Sequence, residues 1–543
     1  MEKERHAIAS LTEEVMDKIG RPLDKWAVAA VLESIGVRDA DAVQDFGKED
    51  VFALAEDVYA CCRTRKGKLT GARRPKELAL KEKLGRFAKF YTQGLFFALP
   101  MAGQIFAVLF LGYSLWASLQ FSEREGTIVA MGIILSLVVT GGFVQAIGRK
   151  GLFYLEQGSY VLAKEVCLRF IKAGTLVVIE VGLILYLVNL IWPFFGRTTL
   201  VIALMYYFLL SELWLSLAVL YALRERIATL LLTLLGALVV YLTMKLTPWG
   251  IFAAHGTGLT IADALIFAWS YRALSRRARR TSTALKLAKL PRVPILTYSV
   301  APYFLYGVLY FGYLFVDRLV GWSVGEFPPP YIIWFRNPYE WGIDIALLSL
   351  VLTIAALEYT VNEFTSLIIP IQKRFSAHQI PQHNGFFKRF YFRQLILLLA
   401  VAVISALGTC WMAAALGNRP PIVFPMSPGN DVAKDSPAAT TGVFDDPVIA
   451  LTFVWGVIGY SLLAWGLLNA IFLFSLSRPN FILRAIALAL IVNLVVGFAL
   501  SRAISYEYSV IGLTAGSLTF GVLTTWYAFR VLNRLDYYYY SAY

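Results

Sequence analysis

Charge is scarce in this 543-residue chain: Asp, Glu, Lys and Arg together make up 16% of positions, where a soluble globular protein carries about 25%. With 58% of residues hydrophobic and a mean hydropathy of +0.63, too little polar surface remains to face water on every side. Cysteine is equally sparse. Cys61, Cys62, Cys167 and Cys410 all fall in segments expected in the cytosol or the membrane, which excludes a secreted disulfide framework. The adjacent Cys61 and Cys62 lack flanking ligands for a soft metal, and His378 and His383 share one predicted cytoplasmic loop where solvent exposure is expected. No metal site and no cofactor are therefore expected. There is no GxxxxGK loop for ATP hydrolysis, and nothing reads as a glycosyltransferase domain. The first outer loop, with Glu123 and Glu125, is too short for a membrane glycosyltransferase site. No enzymatic activity is expected. The opening MEKERHAIASLTEEV is charged from the start and lacks the apolar centre of a cleaved signal peptide.

What the chain does have is long apolar runs. About 20 apolar residues cross a bilayer as a helix, whereas a membrane β-barrel would show strictly alternating strands of about ten, which are missing. Twelve runs are expected to span: 91–119, 127–147, 174–195, 199–222, 227–247 and 250–271, then 296–322, 341–371, 394–416, 448–476, 480–500 and 504–529. The fold class is thus an all-α membrane protein of about 12 transmembrane helices. The basic stretch 272–294 divides them into two sets of six, a recurring transporter plan. The expected organisation is a helical module at 1–66, a basic juxtamembrane linker at 67–90, a six-helix bundle at 91–273, a connector at 274–295, a second bundle at 296–530 and a tail at 531–543.

Within 1–66, Ser10 with Glu13 fits a capping box, and further helices are expected at 23–35 and 49–61. A piece this small is expected to dock on the membrane domain or a partner. The net charge of +14 raises the question of nucleic acid, but the basic residues concentrate on one predicted side of the membrane. Arg149, Lys150, Lys164, Arg169, Arg224, Arg226 and the 276–280 cluster all fall there. The positive-inside rule then places both termini in the cytoplasm of a bacterial inner membrane, and the 63–89 stretch would meet anionic lipid. No nucleic-acid partner is expected. Segment 327–339, rich in proline and aromatics, and the polar loop 418–447 lie on the outer side.

Ionisable residues inside spans usually face a cavity or a partner charge. Glu180, Glu212, Asp263, Glu358 and Glu363 fall at intermediate depth, and Asp317, Arg318 and Asp344 nearer the outside. Arg318 is within reach of Asp344 across the hairpin between spans seven and eight, and Glu358 shares a helix face with Asn362. Acids outnumber bases here, which suits a cationic or hydroxyl-rich substrate, or a proton or sodium coupling site. Tyr303, Tyr306, Tyr310 and Tyr313 form one stripe, fit either for stacking on sugar rings or for helix packing. Gly141–Gly142, Gly307, Gly312, Gly512 and Gly516 allow close helix approach.

Three stretches carry a family likeness: PYFLYGVLYFGYLFVDRLVGW (302–322), LEYTVNEF (357–364) and YEYSVIGLTAGSLTFGVLTTWYAFRVLNRLDYYYYSAY (506–543). They resemble the PelG-type exopolysaccharide exporters of the MOP flippase superfamily, which also contains MATE and Wzx transporters. The aromatic run ending in Asp317–Arg318, with Trp322 after it, is the most specific part, and the likeness covers roughly residues 90 to 543. It implies two six-helix bundles around a V-shaped cavity that alternates between inward and outward access. It also implies a polysaccharide or lipid-linked saccharide as substrate, with membrane-bound polysaccharide synthase subunits and a separate cytoplasmic glycosyltransferase as partners. The module at 1–66 and the loop at 418–447 depart from that pattern. On this reading Asp317, Arg318, Asp344, Glu358, Glu363, Tyr306 and Tyr310 line the path or gate it. Two alternatives stand beside it: a cation-coupled MATE-type antiporter, with Glu180, Glu212, Asp263 and Glu358 as coupling carboxylates, and a non-transporting scaffold of a synthase.

Overall fold

The computed structural model describes residues 2–19, 22, 24–64, 80–118, 121–279, 290–327, 330–372, 380–417 and 443–540. Among these, every regular element is a helix, as lipid demands of a backbone that must satisfy its own hydrogen bonds. Helices α1 (Glu2–Ile19), α2 (Lys25–Ser34), α3 (Asp39–Phe46) and α4 (Val51–Thr64) come first. They are followed by α5 (Leu80–Leu111), α6 (Glu123–Ala146), α7 (Leu152–Glu156), α8 (Tyr160–Ile191), α9 (Arg197–Leu223), α10 (Arg226–Leu246) and α11 (Ile251–Arg279). The remainder are α12 (Val293–Trp322), α13 (Asn337–Gln372), α14 (Ile380–Gly417), α15 (Pro447–Ser475), α16 (Pro479–Ala503), α17 (Val510–Leu532) and α18 (Leu535–Tyr540). Eleven helices among the described residues are long and apolar enough to cross a membrane. The first expected span is covered by α5, which holds Pro100 and some of whose side chains lie outside the description. Most of the connector, at 280–289, and of the outer loop, at 418–442, lies outside it too, as does His378.

Several helices outrun the apolar windows that announced them. α14 begins at Ile380 rather than near 394, and its 38 residues reach about 57 Å at 1.5 Å per residue, well beyond a hydrocarbon core of about 30 Å. His383 therefore sits on a helix instead of a loop and is 9% exposed, its ring 5.1 Å from that of Phe387. α6 starts early because Ser122 and Glu125 form a capping box: Ser122 Oγ accepts from Glu125 N at 3.3 Å and Glu125 Oε2 accepts from Ser122 N at 2.9 Å. At its other end one π turn, Ile147–Gly151, joins α6 to α7. That turn presents Arg149 over the Tyr303 ring at 5.0 Å, and Arg149 Nη2 donates to Ser477 Oγ at 3.2 Å.

The chain divides into two compact units. One comprises 1–91, 357–396 and 529–543. Its amino-terminal helices enclose a core of their own in which Val15, Val28, Leu32, Leu54 and Val58 are fully buried. Ser10 is not a cap there: α1 already starts at Glu2, because Glu, Lys and Arg are good helix formers. Asp24 caps α2 by accepting from Ala27 N at 2.8 Å, and α3, too short to show a period, ends at Gly47 with φ of 63°. At its start the Arg38 side chain hydrogen-bonds Asp41 and holds that carboxyl below its usual range. Cys61 is exposed and Cys62 lies in the core, so the pair does not converge on one point.

The other unit comprises 92–356 and 397–528. In it α12 packs between α6 and α16. The α6–α12 approach is closest at Gly141 and Gly307, where a Cβ built on either would run into the other's carbonyl group. α8 turns a largely apolar edge outward, broken by Glu180, with Leu176, Ile179, Leu183 and Ile184 each at least 50% exposed. Such a stripe suits lipid better than water. An alanine at Gly307 should lower the melting temperature of detergent-purified protein by several degrees, as overpacking costs about 1–3 kcal/mol. Alanine at Gly312, whose Cβ would meet nothing nearer than 4.0 Å, should leave it unchanged.

Candidate functional site

The most heavily bonded charged cluster stands on the hairpin of α12 and α13. A guanidinium in an apolar span is tolerated only with partners that offset its lost hydration, and Arg318 has two. Its Nη1 pairs with Glu340 Oε2, and its Nη2 donates to Asp344 Oδ1 at 2.7 Å. The other oxygen of Glu340 accepts from Trp322 Nε1 at 2.8 Å. Asp317, one residue earlier, points elsewhere and accepts from Tyr339 Oη at 2.7 Å. Arg318 and Trp322 are thus one helical turn apart on α12, facing Glu340 and Asp344 one turn apart on α13. The side chains of Arg318 and Glu340 are 9% and 6% exposed, that of Asp344 61%. The cluster is closed at Glu340 and open at Asp344.

The sequence pointed to Asp317, Arg318 and Asp344, and the hairpin brings these three together. It missed Tyr339, the last residue of the 327–339 segment expected at the outer interface, and Glu340, which follows it. The available signal was spacing, since Glu340 precedes Asp344 by four residues. α12 is held in place from the far side: Tyr313 Oη donates to Leu513 O at 2.8 Å and lies 2.6 Å from Ser517 Oγ, while Asn493 Nδ2 donates to Tyr313 O at 3.1 Å. Tyr306 stacks on Tyr310 at 5.7 Å, and both Tyr303 and Tyr306 pack on Phe474.

The chain leaving α12 is strapped to α6 and α9. Trp334 N donates to Trp322 O at 3.0 Å, and Trp334 Nε1 donates to Glu123 Oε2 at 2.8 Å. Phe335 N donates to Thr127 Oγ1 at 3.0 Å. The Tyr331 hydroxyl accepts from Arg124 Nε at 3.1 Å and lies 3.0 Å from Thr199 Oγ1.

A second polar group lies in α8, α9 and α11. Glu212 Oε2 accepts from Thr175 Oγ1 at 3.0 Å. Its Oε1 and both oxygens of Asp263 are buried and without hydrogen-bond partners among the described residues, and the two carboxyl groups are close enough to act on each other electrostatically. Glu180 does not join them as a bonded partner; it is exposed on α8. His255, which the sequence reading passed over, is fully buried, with Nδ1 2.6 Å from Tyr206 Oη.

Glu358 and Glu363 belong to the other compact unit. Asn362 Nδ2 donates to Glu358 O at 2.8 Å and lies 3.4 Å from Glu358 Oε1, so the four-residue spacing does place these two side by side. Glu363 pairs with Arg86 at 2.8 Å, a partner nearly 280 residues away in the chain that spacing could not supply.

Removing one member of a buried ion pair costs about 3–5 kcal/mol. Arg318→Ala and Glu340→Ala should therefore each sharply reduce folded protein recovered from membranes. Arg318→Lys should not rescue it, because one ammonium cannot replace a fork that meets two carboxylates. Asp344→Asn, at the open end, should be recovered in normal amounts on size-exclusion chromatography.

The fold has distant counterparts among solved structures. An outward-facing multidrug-resistance MATE family transporter of the MOP superfamily matches at TM-score 0.52 and 13% identity, covering 83% of this chain and 96% of that one. A MOP superfamily transporter from Pyrococcus furiosus, described as having a binding pocket of reversed polarity, matches at TM-score 0.53 and 13% identity over 83% and 96%. The Vibrio cholerae MATE transporter VcmN, in a mutant form, matches at TM-score 0.51 and 16% identity over 85% and 99%. No protein-family model matches the chain, and no curated protein matches it in sequence. At these identities the likeness establishes the fold: an α-helical multi-pass membrane protein on the MOP/MATE plan.

Proposed function

We propose that this chain is an exporter of polysaccharide or lipid-linked saccharide, working by alternating access in a bacterial inner membrane with both termini in the cytoplasm. The observation that carries this reading is the α12–α13 cluster. The residues most similar to PelG-type exporters, 302–322, supply Asp317, Arg318 and Trp322, of which Arg318 holds one largely exposed carboxylate, Asp344. An acidic group held by Arg318 yet exposed at the edge of a rigid cluster is suited to hydrogen-bond sugar hydroxyls or amino groups with its remaining acceptor capacity. The strap from Tyr331 to Phe335, tied to α6 and α9 by Glu123, Arg124, Thr127 and Thr199, is suited to gate that edge. Polymer synthesis is assigned to membrane-bound synthase subunits and a cytoplasmic glycosyltransferase acting beside this chain.

The Glu212–Asp263 pair favours a second reading, a cation-coupled small-molecule antiporter. Carboxyl oxygens that are buried and unpartnered are what a proton or sodium ion would occupy.

The two readings separate in one set of strains. Secreted exopolysaccharide should disappear from a deletion strain and return with the wild-type gene. With Asp344→Asn at normal protein level, it should fall by about tenfold or more, which is the loss of about 1.4 kcal/mol of path stabilisation. Unchanged polymer in the deletion strain would sink the exporter reading. Cation-driven efflux from proteoliposomes, lost in Asp263→Asn, would establish the antiporter instead.

A further inference from the structure

The last turns of α11 carry Arg272, Arg276, Arg277 and Arg279, and they are not used alike. Arg277 is spent on structure: its Nη2 donates to Leu223 O at 2.9 Å and lies 3.5 Å from Glu225 Oε1. Arg272, Arg276 and Arg279 have no ion pair among the described residues. They line, with Lys164 of α8, Tyr271 and Ser275, a cavity of about 540 Å³, a size typical of small-molecule sites. No carboxylate lines it. The nearest acid on α8, Glu165, is engaged by Arg169 at 3.1 Å.

Three further observations converge there. Lys164 Nζ stands 4.4 Å over the Tyr271 ring, so the cavity wall is held by a cation–π contact. Ser275 Oγ is buried with no hydrogen-bond partner among the described residues, a polar atom waiting for a ligand in a site otherwise lined by cations. Below the cavity, Leu265 and Ile261 are 37% and 41% exposed. They lie seven and eleven positions before Arg272, on the same side of α11. Four cations gathered without a counter-charge raise the local potential and favour an anion. Guanidinium groups match phosphate oxygens best, and an apolar track leading from the site into the span suits an acyl chain.

We propose that Lys164, Arg272, Ser275, Arg276 and Arg279 form a binding site for the headgroup phosphate of an anionic phospholipid, whose acyl chain lies along Ile261 and Leu265. The site is independent of the transported substrate. Each basic side chain near an anionic lipid is worth about fivefold in binding. A free phosphate would have the same charge contacts but no use for the apolar track, so the two sources are separable.

The test uses the full-length protein purified in mild detergent, with retained ligands counted by native mass spectrometry and affinities taken from thermal-shift titrations. The probes are phosphatidylglycerol, phosphatidylcholine and inorganic pyrophosphate. The wild type should retain phosphatidylglycerol in preference to phosphatidylcholine, and pyrophosphate weakly. Arg272→Gln with Arg276→Gln should weaken phosphatidylglycerol by about 25-fold. The double change of the same residues to Lys should keep it, which shows that loss in the glutamine variant is not misfolding. Lys18→Gln, which removes one charge on α1 away from the site, should have no effect. Equal retention of phosphatidylglycerol by wild type and the glutamine variant would overturn the site. Pyrophosphate held as tightly as phosphatidylglycerol would overturn the lipid.

Discussion

The guanidinium of Arg318 is the group on which the α12–α13 hairpin depends. A cation cannot be left bare in an apolar span, and the cost of dehydrating it falls only if its donors are met in the right directions. Here two of its nitrogens go to two different carboxylates on the facing helix, and one of those carboxylates is itself fixed by Trp322. The register of α12 against α13 follows, because a slip of one residue would turn every partner away. Once that register is set, Tyr339 meets Asp317, and the connection between the helices is short enough to lie back on α6 and α9 through Tyr331, Trp334 and Phe335. Polar contacts of this kind carry specificity where helices cannot be sorted by hydrophobicity, lipid being as apolar as their side chains.

Much of this was legible in the residues alone, and the limits have physical causes. Runs of apolar residues announced the spans because the bilayer core selects for them, but hydropathy reports only the buried length. The helical extensions of α8 and α14 mix charged residues (Lys164, Glu165, Arg169 and Lys172; Lys388, Arg389 and Arg393) with their apolar ones, and hydropathy passed over them. Arg318 with Asp344 could be anticipated, since a charge in a span requires a partner and the nearest one lay across a hairpin. Glu340 could not be placed with the same ease, since the surrounding prolines and aromatics read equally well as an interfacial segment. The Arg86–Glu363 and Tyr206–His255 pairs depend on tertiary neighbours and leave no local trace. In the amino-terminal helices the opposite occurred. Ser10 and Glu13 have the spacing of a cap, yet the preceding Glu-Lys-Glu-Arg run is a better helix former than a terminus, and α3 is too short for a period to emerge.

The two acidic groupings within one compact unit are built on different principles. Around Arg318 the carboxylates are neutralised and hydrogen-bonded, which gives rigidity. Around Glu212 and Asp263 three of the four carboxyl oxygens lack hydrogen-bond partners among the described residues, while Glu212 Oε2 is held by Thr175. Likewise α11 separates its arginines between anchoring, by Arg277, and an open cationic cavity.

The π turn at Ile147–Gly151 has a geometric consequence. It holds one residue more than an α-helical turn, and one residue is worth about 100° of rotation. Everything from Leu152 onward is therefore turned by about that angle from the face a regular α6 would present, which is how Tyr154 comes to be buried beside Leu162 and Val166. The end of the longest uninterrupted run of helix in this half of the chain is aimed by an inserted residue rather than by a loop. Its direction is consequently a property of the chain's count, not of its composition.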